Sequence, residues 1–378
     1  MLTNKIAFVI LVIQAAAYAL DIEHRTLAQI YEDARKENGT LNVYFGGSSM
    51  SIFPYILPNE RTLTAVKQIA SRGAQPVLDA FSKQFPEIDI NITVELSKYV
   101  DSRIDRSYIE EKPFIDYALL QTVHDFPRWK KEGRLLHYKP INFDDINPAI
   151  KDADGAFFPV SFNQFGPFYY DSDRVPAAKV PKTYADVLDP YWKGKIVLTY
   201  PNDDDGVLYQ FKLIIQKYGF AWLDGLLKQD IKWVRGATLA TGTIIQDHAS
   251  KGPRALTFSG LGVFTPSTDF LKMVKPETPE RFMTWAQQSA IFQSTPRPES
   301  AKLLASFLLS DSWQKNIAAN NAPTVRESLT GTNNVFKTND TEPLGYISFM
   351  SDRQNVEWWR LQMETAIGLA VGPNPALS

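Results

Sequence analysis

Apolar and polar positions recur along this chain with two periods, near 3.6 and 2, and the changes of period mark out short elements. In "TLAQIYEDARKENG", Leu27, Ile30, Tyr31 and Ala34 fall at helical spacing and Gly39 supplies a stop. "TLNVYFGG" reads as a strand running into a glycine turn, and "SSMSIFPYILPNERTL", with its two prolines, as a loop. "AVKQIASRGAQPVLDAFSKQFP" sets Val77, Leu78 and Phe81 on one helical face, while "IDINITVEL" alternates and is β-branched, as a strand does. "VDSRIDRSYIEE" predicts a helix, "IDYALLQ" a short buried strand, and "HDFPRWKKEGRLL" a helix ending near Gly133. The order β-α-β-α-β-α predicts a parallel sheet wrapped by helices.

"LHYKPINFDDINPAIKDADG", rich in proline and aspartate, predicts a crossover, and "FFPVSFNQFGPFYY" extended chain. A second α/β run follows, through "KIVLTYP", "GVLYQFKLIIQKYG", "FAWLDGLLKQ", "IKWVRG", "ATLATGTIIQDHASKG" and "RALTFSG". The tail, "SAKLLASFLLSDSWQKNIAANN" and "SFMSDRQNVEWWRLQMETAIGLA", is helical. Two α/β runs joined by extended segments predict two lobes with a cleft between them. In open α/β sheets ligands bind beyond the carboxyl ends of the strands. Those ends are Gly46-Gly47-Ser48-Ser49, Gln121-Thr122-Val123-His124, Pro201-Asn202-Asp203-Asp204, Arg235-Gly236 and Ser259-Gly260, all polar or glycine-rich.

Composition narrows the class. With 378 residues, 44% hydrophobic and 22% charged, the chain is globular and long enough for two domains. A formal net charge of -2 gives no general basic field, so nucleic acid is not an expected partner. The absence of cysteine removes disulfides, thiol nucleophiles and cysteine-based zinc sites. Lys5, the run "IAFVILVIQAAAYA" and Ala17-Tyr18-Ala19 read as a secretory signal over residues 1–19. That run is shorter than the roughly 20 residues that span a bilayer, and no later segment is long and apolar enough, so no stable membrane insertion is expected. Three sequons, at Asn38, Asn91 and Asn339, fit glycosylation of a secreted eukaryotic protein; a bacterial periplasmic protein would leave them unused.

Catalytic motifs are mostly excluded. Neither "FGGSSMS" nor "TFSGLG" is a nucleophile elbow, none of the four histidines opens H-E-x-x-H, "GLGVFT" lacks the third glycine of a dinucleotide loop, and no Walker A sequence occurs. No cofactor and no metal are expected. The run Asp203-Asp204-Asp205 fails the EF-hand pattern, because Gly206 as sixth position puts Pro201 first and Lys212 twelfth. Acidic residues there cap the following helix, with Asp204 or Asp205 as the cap, and Asp203 lies nearest the strand end. Tyr169-Tyr170 sit in extended chain and point to opposite faces, so they read as core or hinge aromatics. Arg235 before Gly236-Ala237-Thr238, at a helix start, suits a carboxylate or phosphate, or else a salt bridge. Asp125 reads as a helix cap, with His124 lining the cleft or packed.

Several segments together resemble the extracellular solute-binding proteins. "YYDSDRVPAAKVPKTYADVLDPYWKGKIVLTYP" is similar to the family's segment around P-K-T and W-K-G-K-I, "AKLLASFLLSDSWQ" to its F-L-L-S helix, "PVLDAFSKQFPEIDINI" to its opening helix and second strand, and "DYALLQ" stands at its A-D-V strand. The resemblance implies the α/β, two-lobed type 2 periplasmic-binding-protein fold with an interlobe cleft, in the branch related to ferric-iron, thiamine and polyamine binders. It implies capture of a solute by lobe closure, binding without turnover, and in bacterial members delivery to a membrane transporter. The ferric branch has a histidine after the first strand and a tyrosine pair in the second lobe. Phe45-Gly46-Gly47-Ser48 and "ATLATG" stand at those places here, a departure from the ferric pattern.

The expectation is thus a secreted or periplasmic monomer that captures a small polar solute, with any transporter or receptor partner unidentified. Lobe 1 is expected over 40–137 with 263–320, and lobe 2 over 138–262 with 321–378. Tyr44 or Phe45 and Phe165 would stack on the ligand. Asn163, Gln164, Gln121 and Asn202 would bond to it, Asp203 would pair a cationic part and Arg235 an anionic part, with Gly46, Gly47, Ser48, His124, Thr238 and Ser259 completing the lining. Two other readings stay open: a secreted hydrolase using cleft carboxylates such as Asp125 and Asp203, about 5–10 Å apart, and a partner-binding protein that has lost its ligand.

Overall fold

Thr26 starts the first described helix with a capping box. It accepts from the Gln29 N–H while the Gln29 side chain accepts from its own N–H, and together they start helix α1 (Leu27–Ala34). The computed structural model describes residues 21–47, 74–260, 268–319 and 322–372. The expected loop over 48–63 and Ser48 itself lie outside those residues. Strand β1 (Leu41–Gly46), helix α2 (Gln75–Gln84), strand β2 (Ile90–Glu95), helix α3 (Ser97–Ile109), strand β3 (Tyr117–Leu120), helix α4 (Asp125–Lys131) and the short β4 (Leu135–Leu136) follow in the expected alternation. β1 pairs in parallel with β2 on one side and β3 on the other, the arrangement a βαβ order imposes.

The sheet is covered on both faces. Along β3, Tyr117 and Leu119 enter one apolar core with Phe81 and Leu304, while Ala118 and Leu120 enter another with Val100, Ile104, Phe126 and Trp129. Every position of β3 is buried, as a strand between two helical layers requires.

Two strands leave this sheet for the second lobe. β5 (Phe158–Phe165) places Phe158, Val160 and Phe162 in the first core, but Phe165 in the second-lobe core with Leu198, Val207 and Tyr346. Past it, Gly166 (φ 112°) turns the chain into β6 (Phe168–Asp171). An added Cβ at Gly166 would stand 2.5 Å from Phe282 Cβ and from the Tyr184 hydroxyl, so the turn admits only glycine.

The second lobe continues with β7 (Val197–Thr199), α5 (Asp205–Tyr218), α6 (Phe220–Leu227), β8 (Lys232–Val234), α7 (Ala237–Ser250), β9 (Leu256–Thr257) and β10 (Leu271–Val274). β7 and β8 are parallel, and β6 lies between β9 and β10 in an antiparallel trio. Tyr169 is fully buried beside Ile244 while its neighbour Tyr170 packs on the opposite core, as their alternation requires.

β11 (Met283–Phe292) brings the chain back. It runs antiparallel to β5 and β3, with Met283 and Trp285 in the second-lobe core and Ala286 and Ile291 in the first. β5 and β11 thus cross between the cores as a paired ribbon. Helices α8 (Pro298–Leu308) and α9 (Asp311–Ala319) close the first lobe, and α10 (Pro343–Ser351) and α11 (Arg353–Ile367) pack on the second. The pairings depart from the expected division at two places. β5, placed with lobe 2, pairs in the lobe 1 sheet, and β10, placed with lobe 1, pairs in the lobe 2 trio. Among the described residues no helix is long and apolar enough to cross a membrane.

Candidate functional site

Because β7 and β8 run in parallel, their carboxyl ends open at one edge, and the loops beyond them put Asp203 beside Arg235. The first lobe meets them with the opening turn of α3. That turn is held close to the sheet, since Ser97 Oγ accepts from the Gln121 N–H (3.0 Å) and leaves no room for a Cβ at Gly46. Lys98 and Tyr99 therefore project from lobe 1 onto the lobe 2 loops.

The contact is an ion cluster. Arg235 grips Asp203 with two bonds, Nε to Oδ2 at 2.8 Å and Nη2 to Oδ1 at 3.0 Å, and its Nη2 also donates to the Tyr99 hydroxyl at 2.8 Å. Lys98 Nζ reaches Asp203 Oδ1 at 2.6 Å. Burial alone would push the Asp203 carboxyl up, but the bonds from Arg235 and the charge of Lys98 hold it below the ordinary carboxylate value. Asp203 is nearly fully buried, whereas about a third of the Lys98 side chain remains exposed. One carboxylate is thus shared by two cations from opposite lobes, so this cluster of described residues carries one positive charge in surplus.

The other two aspartates have separate tasks. Asp204 is the cap: its side chain accepts from the Gly206 and Val207 N–H groups at 2.9 and 3.1 Å. Burial pushes its carboxyl up to about 6. Asp205, in the first turn of α5, pairs with Arg353 at 3.4 Å. Gln121 from lobe 1 lies against this turn, for a Cβ on Gly206 would come within 2.6 Å of its Nε2.

Beyond β3, the loop departs from expectation. His124, not Asp125, occupies the N-cap position, with no side-chain cap bond; Asp125 is the first residue of α4 and accepts from Arg128 Nη2 at 2.7 Å. Burial lowers the His124 pKa, so its ring is neutral near pH 7. Asp101, one turn past Lys98 on α3, meets Asp125. Burial and then the Asp125 charge push the Asp101 carboxyl up to about 8. The Asp101 carboxyl thus lies close to that of Asp125, whose other oxygen is bound by Arg128, and Asp203 is committed to its cations.

Several other candidates are used by the protein's own packing. Tyr44 sits edge-on to Phe114 (5.2 Å), Phe45 packs on the first core, and Gly47 donates its N–H to the Glu95 carbonyl. Phe165 stacks on Trp285 (5.1 Å), so the three expected stacking aromatics are core or surface pairs. Asn163 donates to Gln287 (3.4 Å) and Gln164 to Thr284 (3.2 Å) within the interlobe ribbon. Asn202 Nδ2 donates to the Gly368 carbonyl, and Ser259, fully buried, accepts from the Thr199 N–H at 2.8 Å. Thr238 is buried in the first turn of α7. The sequon asparagines Asn38, Asn91 and Asn339 are exposed, while Thr341 of the third sequon is buried. Asp171, Asp173 and His248 lie close enough to suggest metal ligands, but Asp171 already accepts from His248 Nδ1 and Arg174 Nε, and Arg174 also bonds the Gly252 and Arg254 carbonyls. Lys98, Tyr99 and Asp101 escaped the sequence reading. Applying the strand-end rule to "INITVEL" as well would have reached "SKY" directly after it.

Residues 114–348, more than half of the chain, match the model of the bacterial extracellular solute-binding protein family. The chain belongs to that family. No curated protein sequence matches it. Among solved structures, the substrate-binding protein of an ABC transporter from Agrobacterium tumefaciens is similar with a TM-score of 0.66 at 16% identity, over 87% of this chain and 94% of that one. The apo ferric ion-binding protein A of Pasteurella haemolytica (0.58, 17%, 87% and 98%) and the periplasmic binding protein AfuA of Actinobacillus pleuropneumoniae with fructose-6-phosphate bound (0.58, 16%, 88% and 100%) have the same fold. The fold is therefore the two-lobed periplasmic-binding-protein fold, and the Lys98–Asp203–Arg235 cluster joins its lobes.

Proposed function

We propose that this family member is a secreted or periplasmic monomer that captures a small polar solute between its lobes without chemical turnover. The carrying observation is the contact made only across the cleft, in which Lys98 and Tyr99 of one lobe bond Asp203 and Arg235 of the other. Such a contact breaks when the lobes part about the β5–β11 ribbon, and a solute that replaces it closes them again. Gln121 lies against the Gly206 turn that follows Asp203, and Gly236 and Thr238 follow Arg235 in the chain; with His124 these are the residues we assign to the site. The similar proteins include one described as ferric ion-binding and one with fructose-6-phosphate bound, so the fold accommodates different solutes. A membrane transporter or receptor would take the solute on.

One observation favours a second reading, a protein that has lost its ligand: Asp203 already fills the cation pair. A thermal-stability screen of the purified protein against metal ions, amines, sugars, carboxylates and phosphates separates the two. A bound solute at a hundred times its dissociation constant stabilises by about 2.7 kcal/mol. It would also shrink the radius of gyration in solution scattering. No shift with any class supports loss of ligand, and turnover of a bound compound would refute binding without catalysis.

A further inference from the structure

We infer that the cleft takes an anionic solute, carrying a carboxylate or a phosphate, and that Asp203 holds the anion's place until it arrives. This rests on the solute-capture reading above and names the chemistry of that site. Charge is the first ground. Among the described residues, two cations and one carboxylate meet between the lobes, with Glu95 paired to Arg103 and Asp204 spent on its helix. A cationic solute would have to pull Asp203 away from Lys98 and Arg235 and leave both charges unpaired in a partly buried site. That costs more than the new pair returns. An anion meets the opposite situation, because it can take the donors that Asp203 now uses.

Donor geometry is the second ground. The guanidinium of Arg235 presents a planar fork matched to carboxylate or phosphate oxygens. The Tyr99 hydroxyl accepts from Arg235, which leaves its own proton to donate. Directly after Arg235, the 14-residue helix α7 begins at Gly236 with no capping side chain, so its positive end faces the same edge. The aromatic side chains that would cage an organic cation, Tyr44, Phe45 and Phe165, are packed elsewhere.

The lobe assignment gives Asp203 its role. Arg235 and Asp203 belong to one lobe and stay together when the cleft opens, whereas Lys98 and Tyr99 leave with the other lobe. On closing, Lys98 and Tyr99 meet either the Asp203 carboxylate or an anion seated on Arg235. Asp203 is thus an internal competitor of the ligand, and removing its charge strengthens binding.

Isothermal titration of the mature wild-type chain and of D203N, K98Q, R235K and R235M tests this. Inorganic phosphate, fructose 6-phosphate and citrate serve as anions, and putrescine, thiamine and ferric ion as cations. The inference expects an anion to bind, more weakly as salt rises, with phosphate against citrate telling which oxyanion is preferred. It expects K98Q and R235M to lose at least tenfold in affinity, R235K to lose part of that, and D203N to bind about tenfold more tightly, a gain of about 1.4 kcal/mol. Circular dichroism of each variant checks that it is folded. Binding of a cation that D203N abolishes overturns the inference while leaving solute capture intact, as does anion binding unchanged in K98Q and R235M. Absence of binding for every probe and variant overturns both readings.

Discussion

Replacing Asp101 by asparagine should make the protein more stable in alkali and change it little in acid. Asp125 Oδ1 is fixed by Arg128, its buried Oδ2 has no hydrogen-bond partner among the described residues, and the Asp101 carboxyl lies close beside it. Two carboxylates in contact cannot both ionise, so Asp101 keeps its proton in the folded protein up to about pH 8. In the unfolded chain it loses that proton near pH 4. The folded state therefore binds more protons between those values, and stability falls as pH rises. The contribution of the pair is fully present below about pH 4 and is lost through about pH 8. At 1.36 kcal/mol per pH unit the interval caps the loss at about 5 kcal/mol, and solvent relaxation around a partly exposed group brings the expected value to about 2–3 kcal/mol. Asparagine donates to Asp125 without titrating. Urea unfolding at pH 5, 7 and 9 should show wild type losing about 2–3 kcal/mol relative to D101N across that range. His124 titrates in both proteins and drops out of the difference. Parallel stability profiles for the two proteins would refute the shared-proton pair.

Gly166→Ala should cost about 3–5 kcal/mol, since φ is 112° and the new Cβ meets Phe282 and Tyr184 at 2.5 Å; Gly133→Ala, with φ 71° and open space, should cost only about 1 kcal/mol, and equal melting temperatures would refute the clash. Asp116, almost fully buried, accepts from the Asn42 N–H and the Thr295 hydroxyl, both at 2.7 Å, and from Arg297 at 3.1 Å. Its replacement by alanine should destabilise by about 3–5 kcal/mol in urea unfolding, and a loss below about 1 kcal/mol would show that the network matters little.

Most elements were legible because their boundaries are local chemistry. Asp204 caps α5 with its own side chain, and the parallel pairing of β1 with β2 and β3 follows from the βαβ order. β11 was not legible. "MTWAQQSAIF" is buried at every position, so it shows no alternation, and its two glutamines resemble a surface. Their amide N–H groups find distant partners, Gln287 donating to the Leu119 carbonyl (3.1 Å) and Gln288 to that of Ile150 (2.8 Å). Missing that strand is also what put β5 in the wrong sheet, because nothing near β5 in the chain reveals its partner.

The strand-end rule located Asp203 and Arg235 because it depends only on which strands are parallel. It could not say what those side chains face. An aspartate at a cleft reads as a partner for a cation only while it is unpaired, and pairing is settled by α3, whose opening turn lies about a hundred residues earlier. Lys98 and Arg235 together reverse the sign of the site, so the residue that looked like a ligand contact for a positive group becomes the stand-in for a negative one. The same holds for the aromatics. Alternation along β1 sends Tyr44 to one face and Phe45 to the other, so neither reaches the cleft merely by ending the strand. Position at a strand end tells where a ligand can go, whereas its charge follows from donors and acceptors that only the closed fold brings within 3 Å.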